Sequence, residues 1–153
     1  MKHLNFMKNK ILISGITGFL GTSLKKYLIK KNNHIIYSYN RKDLSNQVIS
    51  KDYMIHLAGK AHDLKKSTNK KEYYSANFDL TKKIFDDFLK SEAKMFIFIS
   101  SVKAARDSLT DKLTEETPPE PKTDYGKSKL LAEEYILSKH LPKDKRIYIL
   151  RPC

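Results

Sequence analysis

The fold of this chain is decided by the stretch Ile11-Leu12-Ile13-Ser14-Gly15-Ile16-Thr17-Gly18-Phe19-Leu20-Gly21. A short apolar run stops at a turn that holds three glycines spaced three residues apart, and an amphipathic segment follows at once. Four apolar residues of that segment recur at the spacing of one helical stripe, namely Leu20, Leu24, Tyr27 and Leu28. A strand, a glycine turn and a helix in this order are typical of a turn that binds a dinucleotide phosphate.

Each glycine of the turn has its own mechanical reason. Gly15 lets the chain turn sharply, Gly18 lets a pyrophosphate approach the backbone, and Gly21 lets the helix lie close to the strand. The first N–H groups of the helix are unpaired and carry the positive end of its dipole, which suits a phosphate. The cofactor-binding residues predicted here are Gly15, Thr17, Gly18, Phe19, Leu20 and Gly21. The alternative is an ordinary tight turn between a strand and a helix, with no ligand.

Length and composition bound the class of protein. The 153 residues predict one globular domain, 1–153, in which residues 1–7 are a disordered start. No apolar run is long enough to span a bilayer, the amino end lacks the apolar core of a signal peptide, and Cys153 is the single cysteine. These features favour a protein of the reducing cytoplasm with no membrane partner. No metal site is predicted.

The net charge of +13 raises nucleic acid as a partner. The arginines are only Arg41, Arg106, Arg146 and Arg151, and the lysines are spread over the whole length. Proteins that read bases and phosphates usually cluster their charge and use arginine forks. The charge is therefore interpreted as a solvated lysine surface, with no nucleic-acid partner. A nucleic-acid binder stays as an alternative that rests on charge alone.

Strands and helices alternate along the rest of the chain. After a helix stop at Asn32-Asn33, strands are predicted at 34–39, 53–58, 94–99 and 146–150, and helices at 72–91 and 125–138. Residues 41–51 are too few for a full crossover helix and another strand. Continuous apolar strands such as 94–99 indicate a sheet that is covered on both faces. The predicted fold is α/β, a Rossmann-type doubly wound and mostly parallel sheet.

The tip of the second strand bears on the choice of cofactor. In dinucleotide folds an acidic residue there binds the 2′-hydroxyl of NAD, and an arginine accommodates the 2′-phosphate of NADP. Tyr39 and Asn40 occupy this position, and Arg41 and Lys42 follow. NADP is therefore favoured modestly over NAD, although Asp43 lies close by in the sequence.

Two polar residues allow two interpretations each. His56 lies in the predicted strand 53–58, where a hydrogen-bonded core histidine is preferred over a ligand or base. Asn77 lies beside the apolar stripe of the helix 72–91 and either is exposed or points at the cleft. The small pair Ala58-Gly59 ends the strand and would let a cofactor ribose lie against the backbone.

The predicted chemistry rests on the motif Tyr125-Gly126-Lys127-Ser128-Lys129. A tyrosine and a lysine four residues apart at a helix start share one face. A phenol with an ordinary pKa near ~10 is a poor acid–base catalyst at neutral pH, and an ammonium beside it favours the phenolate, which can exchange a proton with a sugar hydroxyl or carbonyl. Ser100 and Ser101 end a neighbouring strand, where a hydroxyl can hold the same substrate oxygen.

With these motifs the chain resembles the amino-terminal, cofactor-binding part of the extended short-chain dehydrogenase/reductases, the NAD-dependent epimerase/dehydratase family of nucleotide-sugar enzymes. The residues that carry the resemblance follow the family's order over almost the whole chain: Gly15-x-x-Gly18-x-x-Gly21, His56-Leu57-Ala58-Gly59, Asn77, Phe98-Ile99-Ser100-Ser101, Tyr125-Gly126-Lys127-Ser128-Lys129 and Leu150-Arg151-Pro152. The segment 100–103, Ser-Ser-Val-Lys, is most similar to UDP-sugar 4-epimerases and 4-keto-sugar reductases of surface polysaccharide synthesis.

The resemblance implies a reaction and a set of site residues. The reaction is hydride transfer at C4 of a UDP- or dTDP-linked sugar, with NADP or NAD as cofactor. Tyr125 is implied as general acid/base and Lys129 as its partner and a ligand of the nicotinamide ribose. Ser101 is implied as the catalytic hydroxyl, because Val102 occupies the position at which many members carry it. The remaining expected cofactor contacts are Asn40, Arg41, Asp43, Leu44, Leu57, Ala58, Gly59, Asn77 and Ser100. A homodimer is left open.

Members of the family continue past their Arg-Pro pair for roughly another half-chain, which forms the sugar-nucleotide pocket. The expectation is therefore that the substrate domain is absent from residues 1–153, which bind a dinucleotide but turn over no sugar nucleotide. Apolar surface left uncovered in this way favours poor solubility or association. A non-catalytic dinucleotide-binding fragment is the alternative function.

Overall fold

The computed structural model describes residues 8–40, 50–60, 69–108, 113–114 and 116–153. In these residues the strands form one parallel sheet made of β1 (Asn9–Ser14), β2 (His34–Ser38), β3 (Tyr53–His56), β4 (Met95–Ile99) and β5 (Arg146–Leu150). The order across the sheet is β2-β1-β3-β4-β5. The chain steps from β1 outward to β2, returns to β3 on the other side of β1, and continues to β5. The direction of winding thus reverses between β1 and β3, and open α/β sheets bind ligands at such a point.

Helices connect the strands on both faces of the sheet. The connections contain α1 (Phe19–Lys31), α2 (Lys70–Tyr73), a π-helical turn (Tyr74–Asp79), α3 (Leu80–Lys90), a 3₁₀ turn (Val102–Ala104) and α4 (Asp124–Leu137). Helix α1 ends at Asn32, which takes the left-handed conformation with φ 51°. The predicted doubly wound α/β fold is confirmed, and β5 spans the residues that were predicted for it.

Alternate residues of the buried strands point to two separate cores. On the face of α1 the buried side chains are Ile11, Ile13, Ile16 and Leu28. On the face of α3 and α4 they include Leu12, Met54, Ile84, Phe85, Phe88, Phe96, Phe98 and Ile136. Burial of each such side chain contributes about 1.5–3 kcal/mol, so these two layers hold the strand ends in place for the site.

The apolar stripe predicted for α1 is only partly buried. Leu28 is buried, whereas Tyr27 is 57% and Leu20 is 49% exposed. Leu20 borders an apolar groove of about 820 Å³, which Ile99 and Leu150 also line. The reason is that no described helix covers the α1 face of the sheet beside β4 and β5, so Leu20 has no partner layer there.

The helix predicted at 72–91 is the other element that differs. It begins at Lys70 and ends at Lys90, and the π-helical turn Tyr74–Asp79 interrupts it. A π-helical turn holds one residue more than an α-turn, and such turns are frequent at functional sites. Among the described residues, no helix combines the length and the apolar character that a membrane span requires.

Candidate functional site

The glycine turn packs directly against the end of β3. Gly15 has φ +73°, and a Cβ there would lie 2.6 Å from the backbone nitrogen of Ala58. A Cβ on Gly21 would collide with the carbonyl oxygen of Gly15 and lie 2.6 Å from Ile16 Cα. At Gly18 it would meet only the Gly15 oxygen, at 3.3 Å. Gly15 and Gly21 are therefore required for packing, whereas a side chain at Gly18 would meet fewer protein atoms and would extend toward the side where a ligand is expected.

The amino end of α1 is open to an anion. Its N-cap residue, Gly18, has no side chain to accept a hydrogen bond, and no acidic residue lies in the first turn. The first N–H groups of a helix have no intrahelical acceptor and carry the positive end of its dipole. These groups face the switch point between β1 and β3, which is where a pyrophosphate is expected to bind.

Asn77 lies beneath the residues that follow β3. Its side chain is 0% exposed, donates to the Lys60 carbonyl oxygen (3.2 Å) and to Ser128 Oγ (3.0 Å), and accepts from the Lys60 N–H (2.8 Å). Of the two interpretations, the exposed one is wrong. The π-helical turn carries Asn77, and a Cβ on Gly59 would lie 2.7 Å from Asn77 Oδ1. Asn77 thereby ties the end of β3 to α4.

Lys129 is the most perturbed group of the site. It is 5% exposed, its Nζ donates to the Ile99 carbonyl oxygen at 2.9 Å, and it lies 4.8 Å from the centre of the Phe98 ring. Burial lowers the pKa of Lys129 to about 8, and the charge of Glu133 opposes this shift. With a pKa of about 8 the side chain is still mostly protonated at neutral pH, so the site contains a buried ammonium.

Sequence reasoning missed an ion pair behind Lys129. Glu133 is buried one helical turn further along α4, and Arg151 donates to both of its carboxylate oxygens, with Nη2–Oε2 at 2.5 Å. The hydrogen bonds from Arg151 to Glu133 raise the pKa of the arginine. The spacing of Glu133 four residues after Lys129 is a signal, but it does not distinguish a buried carboxylate from one on a solvated helix face.

Tyr125 lies in the first turn of α4. The N-cap residue Thr123 accepts from the Gly126 N–H at 3.1 Å. The Tyr125 ring meets the ring of Tyr73 edge to face, with 6.2 Å between their centres. A Cβ on Gly126 would collide with the Lys103 carbonyl oxygen, so this glycine lets α4 approach the loop after β4.

These elements meet in one cavity of about 260 Å³ at the carboxyl ends of β3 and β4. Its walls include Leu20, Leu57, Gly59, Ser100, Ser101, Tyr125 and Lys129. Ser101 Oγ accepts from the Lys103 N–H at 3.2 Å, which leaves its proton to donate. Ser100 Oγ is buried and has no hydrogen-bond partner among the described residues. An orphaned hydroxyl beside a buried ammonium fits a polar ligand such as a cofactor ribose.

Other predicted contacts lie further out or outside the described residues. Thr17 and Phe19 are exposed on the turn, and Asn40 is exposed just after β2. Arg41, Asp43 and Leu44 fall in residues 41–49, outside the described part of the chain. The preference for NADP over NAD therefore stays a prediction.

The fold and the site define a Rossmann-type domain with a glycine turn of the dinucleotide-binding kind. The family model described as the NAD dependent epimerase/dehydratase family matches residues 11–153. The chain belongs to this family.

Several known proteins are similar to the chain. UDP-glucose 4-epimerase of Vibrio cholerae is 28% identical over 169 residues, which cover 95% of this chain and 52% of that protein. Two solved structures share the fold. The dTDP-4-dehydrorhamnose reductase of Bacillus anthracis, in complex with NADP, has a TM-score of 0.80 at 23% identity and covers 96% of this chain and 54% of that one. UDP-glucuronic acid 4-epimerase of Bacillus cereus, in complex with NAD, has a TM-score of 0.79 at 22% identity. The match covers 93% of this chain and 55% of that one. The chain thus spans about half the length of these relatives.

Proposed function

We propose that residues 1–153 form the cofactor-binding part of an NAD(P)-dependent nucleotide-sugar epimerase or reductase that acts at the sugar C4 in surface polysaccharide synthesis. The observation that carries the proposal is the convergence of Tyr125, Lys129, Ser100 and Ser101 on one cavity beside the glycine turn. Membership of the family and the similarity to a UDP-glucose 4-epimerase support a UDP- or dTDP-linked sugar as substrate.

The residues present fit a nicotinamide dinucleotide. The turn with Gly18 and the free N–H groups of α1 would hold the pyrophosphate. Ala58 and Gly59 would leave room for a ribose, and Ser100 Oγ and the Lys129 ammonium would supply its hydrogen bonds. A nicotinamide held there would supply hydride transfer at the sugar C4, in both directions for an epimerase and from the reduced cofactor for a reductase.

The chain's own residues move the proton. Tyr125 takes the proton of the C4 hydroxyl as its phenolate and gives it back to the carbonyl as its phenol. Lys129, one helical turn after Tyr125, lines the same cavity and brings its ammonium to the reacting end of the substrate. Ser101 Oγ accepts from the Lys103 N–H, so its hydroxyl proton is available to donate to the C4 oxygen and to hold that oxygen near the tyrosine. Positioning of this kind can contribute several kcal/mol to a rate.

The test uses the product of the complete open reading frame that encodes these residues. Proton NMR of UDP-glucose, UDP-N-acetylglucosamine and a dTDP-4-keto sugar with NADPH should show C4 epimerisation or reduction. Tyr125→Phe should lower turnover by about 10²–10⁴-fold, the range of a lost general acid–base catalyst. Tyr27→Phe, which is exposed on α1 and does not line the cavity, is the matched control. Full turnover in Tyr125→Phe would overturn the assigned role.

The two serines provide a second comparison. Ser101→Ala should lower turnover more than Ser100→Ala, with dinucleotide binding largely kept in Ser101→Ala. If Ser100→Ala is the more damaging change, the catalytic hydroxyl is misassigned by one residue. Dinucleotide binding without any turnover would favour the alternative function, a non-catalytic dinucleotide-binding fragment.

A further inference from the structure

His56 joins two parts of the site that lie far apart in the sequence. It is 1% exposed at the end of β3, with Nδ1 2.5 Å from Ser14 Oγ and Nε2 2.8 Å from Thr81 Oγ1. Ser14 is the residue directly before the glycine turn, and its Oγ accepts from the Ala58 N–H at 3.3 Å. Thr81 donates to the Asn77 carbonyl oxygen at 2.6 Å. His56 therefore lies between the glycine turn and the π-helical turn.

The direction of these hydrogen bonds follows from the single proton on each hydroxyl. A carbonyl oxygen only accepts, so the Thr81 hydroxyl gives its proton to Asn77 and accepts from His56 Nε2–H. A neutral imidazole has one N–H, so with that proton on Nε2 the Nδ1 atom accepts from the Ser14 hydroxyl, which itself accepts from Ala58. The reverse tautomer would place two acceptors, Thr81 Oγ1 and the Asn77 oxygen, 2.6 Å apart with no proton between them.

The ring of His56 makes a second connection. It stacks on Phe98, its register partner in β4, with 5.5 Å between the centres and an angle of 18°. The Lys129 ammonium lies 4.8 Å from the centre of that same Phe98 ring. Displacement of the imidazole would therefore also displace the aromatic ring beneath Lys129.

We propose that His56 is a positioning residue that couples the dinucleotide cradle to the tyrosine–lysine helix, through the directed chain Ala58–Ser14–His56–Thr81–Asn77. The proposal rests on the proposed function, because it assigns the coupling to dinucleotide binding. It goes beyond a stabilising role in the core, since a core histidine need not bond both a glycine turn and a π-helical turn.

The first test is spectroscopic and requires no ligand. A long-range ¹H–¹⁵N spectrum of the folded chain with labelled histidine should show His56 protonated at Nε2 and unprotonated at Nδ1. Replacement of Ser14 by alanine should then shift the Nδ1 signal, and Thr81→Val should shift the Nε2 signal. The opposite tautomer in the unmodified chain would overturn the directed chain of hydrogen bonds.

The second test separates positioning from stability. His56→Phe keeps a ring over Phe98 but removes one hydrogen bond from Ser14 Oγ and one from Thr81 Oγ1, which keep their bonds to Ala58 and Asn77. The triple variant Ser14→Ala, His56→Phe, Thr81→Val removes the two oxygens that face the new apolar ring. It should recover part of the lost stability, although the Ala58 N–H loses its acceptor. If His56 positions the site, the dissociation constant of NADPH should rise about tenfold in both variants relative to the unmodified chain. It should not return when stability does. If the triple variant regains both stability and affinity, the role of His56 is structural alone and the proposal is wrong.

Lys145→Met is the control for stability. Lys145 is buried at the opposite end of the sheet, where its Nζ donates to the Ser91 and Ala93 carbonyl oxygens at 2.6 Å each. This variant should lose stability and keep its affinity for NADPH. An unmodified, folded chain that binds no dinucleotide would refute the proposed function together with the positioning role. Unmodified binding with unchanged affinity in the two His56 variants would refute only the positioning role.

Discussion

Removal of a lysine ammonium from water costs free energy, and Lys129 offsets part of that cost with the Ile99 carbonyl, the Phe98 ring and the charge of Glu133. The remaining cost appears as a pKa of about 8 in place of the ordinary 10.5. Below about pH 8 the side chain is protonated in both the folded and the unfolded chain, so the full cost is present. Between pH 8 and 10.5 the unfolded chain binds more protons at Lys129 than the folded chain does, so the contribution of Lys129 to the free energy of unfolding rises with pH.

We expect Lys129→Met to abolish this rise in the free energy of unfolding, which amounts to at most about 3 kcal/mol between the two pKa values. The measurement is urea unfolding of both chains between pH 7.5 and 10.5, compared as a difference so that other titrations cancel. Lys127→Met, on the exposed side of the same helix, is the control and should follow the unmodified chain. Equal pH slopes for the unmodified chain and Lys129→Met would show that Lys129 is not held as described.

The glycines of the turn provide the second prediction. Alanine at an interior helix position is favoured over glycine by up to about 1 kcal/mol, so Gly21→Ala would stabilise α1 if space allowed. The structure puts its Cβ 2.6 Å from Ile16 Cα, and we expect a loss of about 2–4 kcal/mol in the free energy of unfolding. In Gly18→Ala the Cβ lies 3.3 Å from the Gly15 carbonyl oxygen, a tight contact that a small backbone shift relieves, and the cost should be about 1 kcal/mol. Its methyl group should instead weaken dinucleotide binding by about tenfold or more. Equal stability of the two variants would contradict this assignment.

Among the elements, α4 depends on its first turn. Thr123 Oγ1 accepts from Gly126 and donates to Asp107 Oδ1 at 2.6 Å. Burial alone would raise the pKa of Asp107, but hydrogen bonds from Thr123 and Lys122 outweigh it and hold the pKa below its usual value. Loop and helix are therefore fixed to each other directly before Tyr125.

Thr123→Ala should lower the free energy of unfolding by about 1 kcal/mol, the usual effect of a lost N-cap. Thr123→Ser keeps the oxygen and should retain most of that stability. Chemical denaturation of the three chains measures both differences. If the alanine and serine variants are equally stable, the capping hydrogen bond contributes nothing.

The elements also show how far the sequence could predict the structure. The strand β5 and the start of α4 followed from apolar patterning and prolines. The position of Ser100 and Ser101 followed from the strand end, and the shared face of Tyr125 and Lys129 followed from their helical spacing. The π-helical turn at 74–79 could not be predicted, because one extra residue leaves helical periodicity intact on both sides of it. The burial of Lys129 and Glu133 could not either, since charged residues at helical spacing look the same whether they face water or a partner such as Arg151.

On the scale of the whole molecule, the described residues form one cavity lined by polar and apolar groups and one groove that is mostly apolar. The glycine turn, the end of β3 and the start of α4 converge on the cavity of about 260 Å³. The groove of about 820 Å³ beside β5 is lined mostly by apolar side chains, Ile147 and Ile149 among them.

The measurement that tests the central claim most directly is a calorimetric titration of the folded 153-residue chain with NADPH and with NADH. The account predicts saturable one-to-one binding of both, tighter for NADPH because Arg41 and Lys42 follow Asn40, and weakened in Gly18→Ala. A preference for NADH would reverse only the choice of cofactor. A chain that is folded by circular dichroism and binds neither dinucleotide would contradict the account.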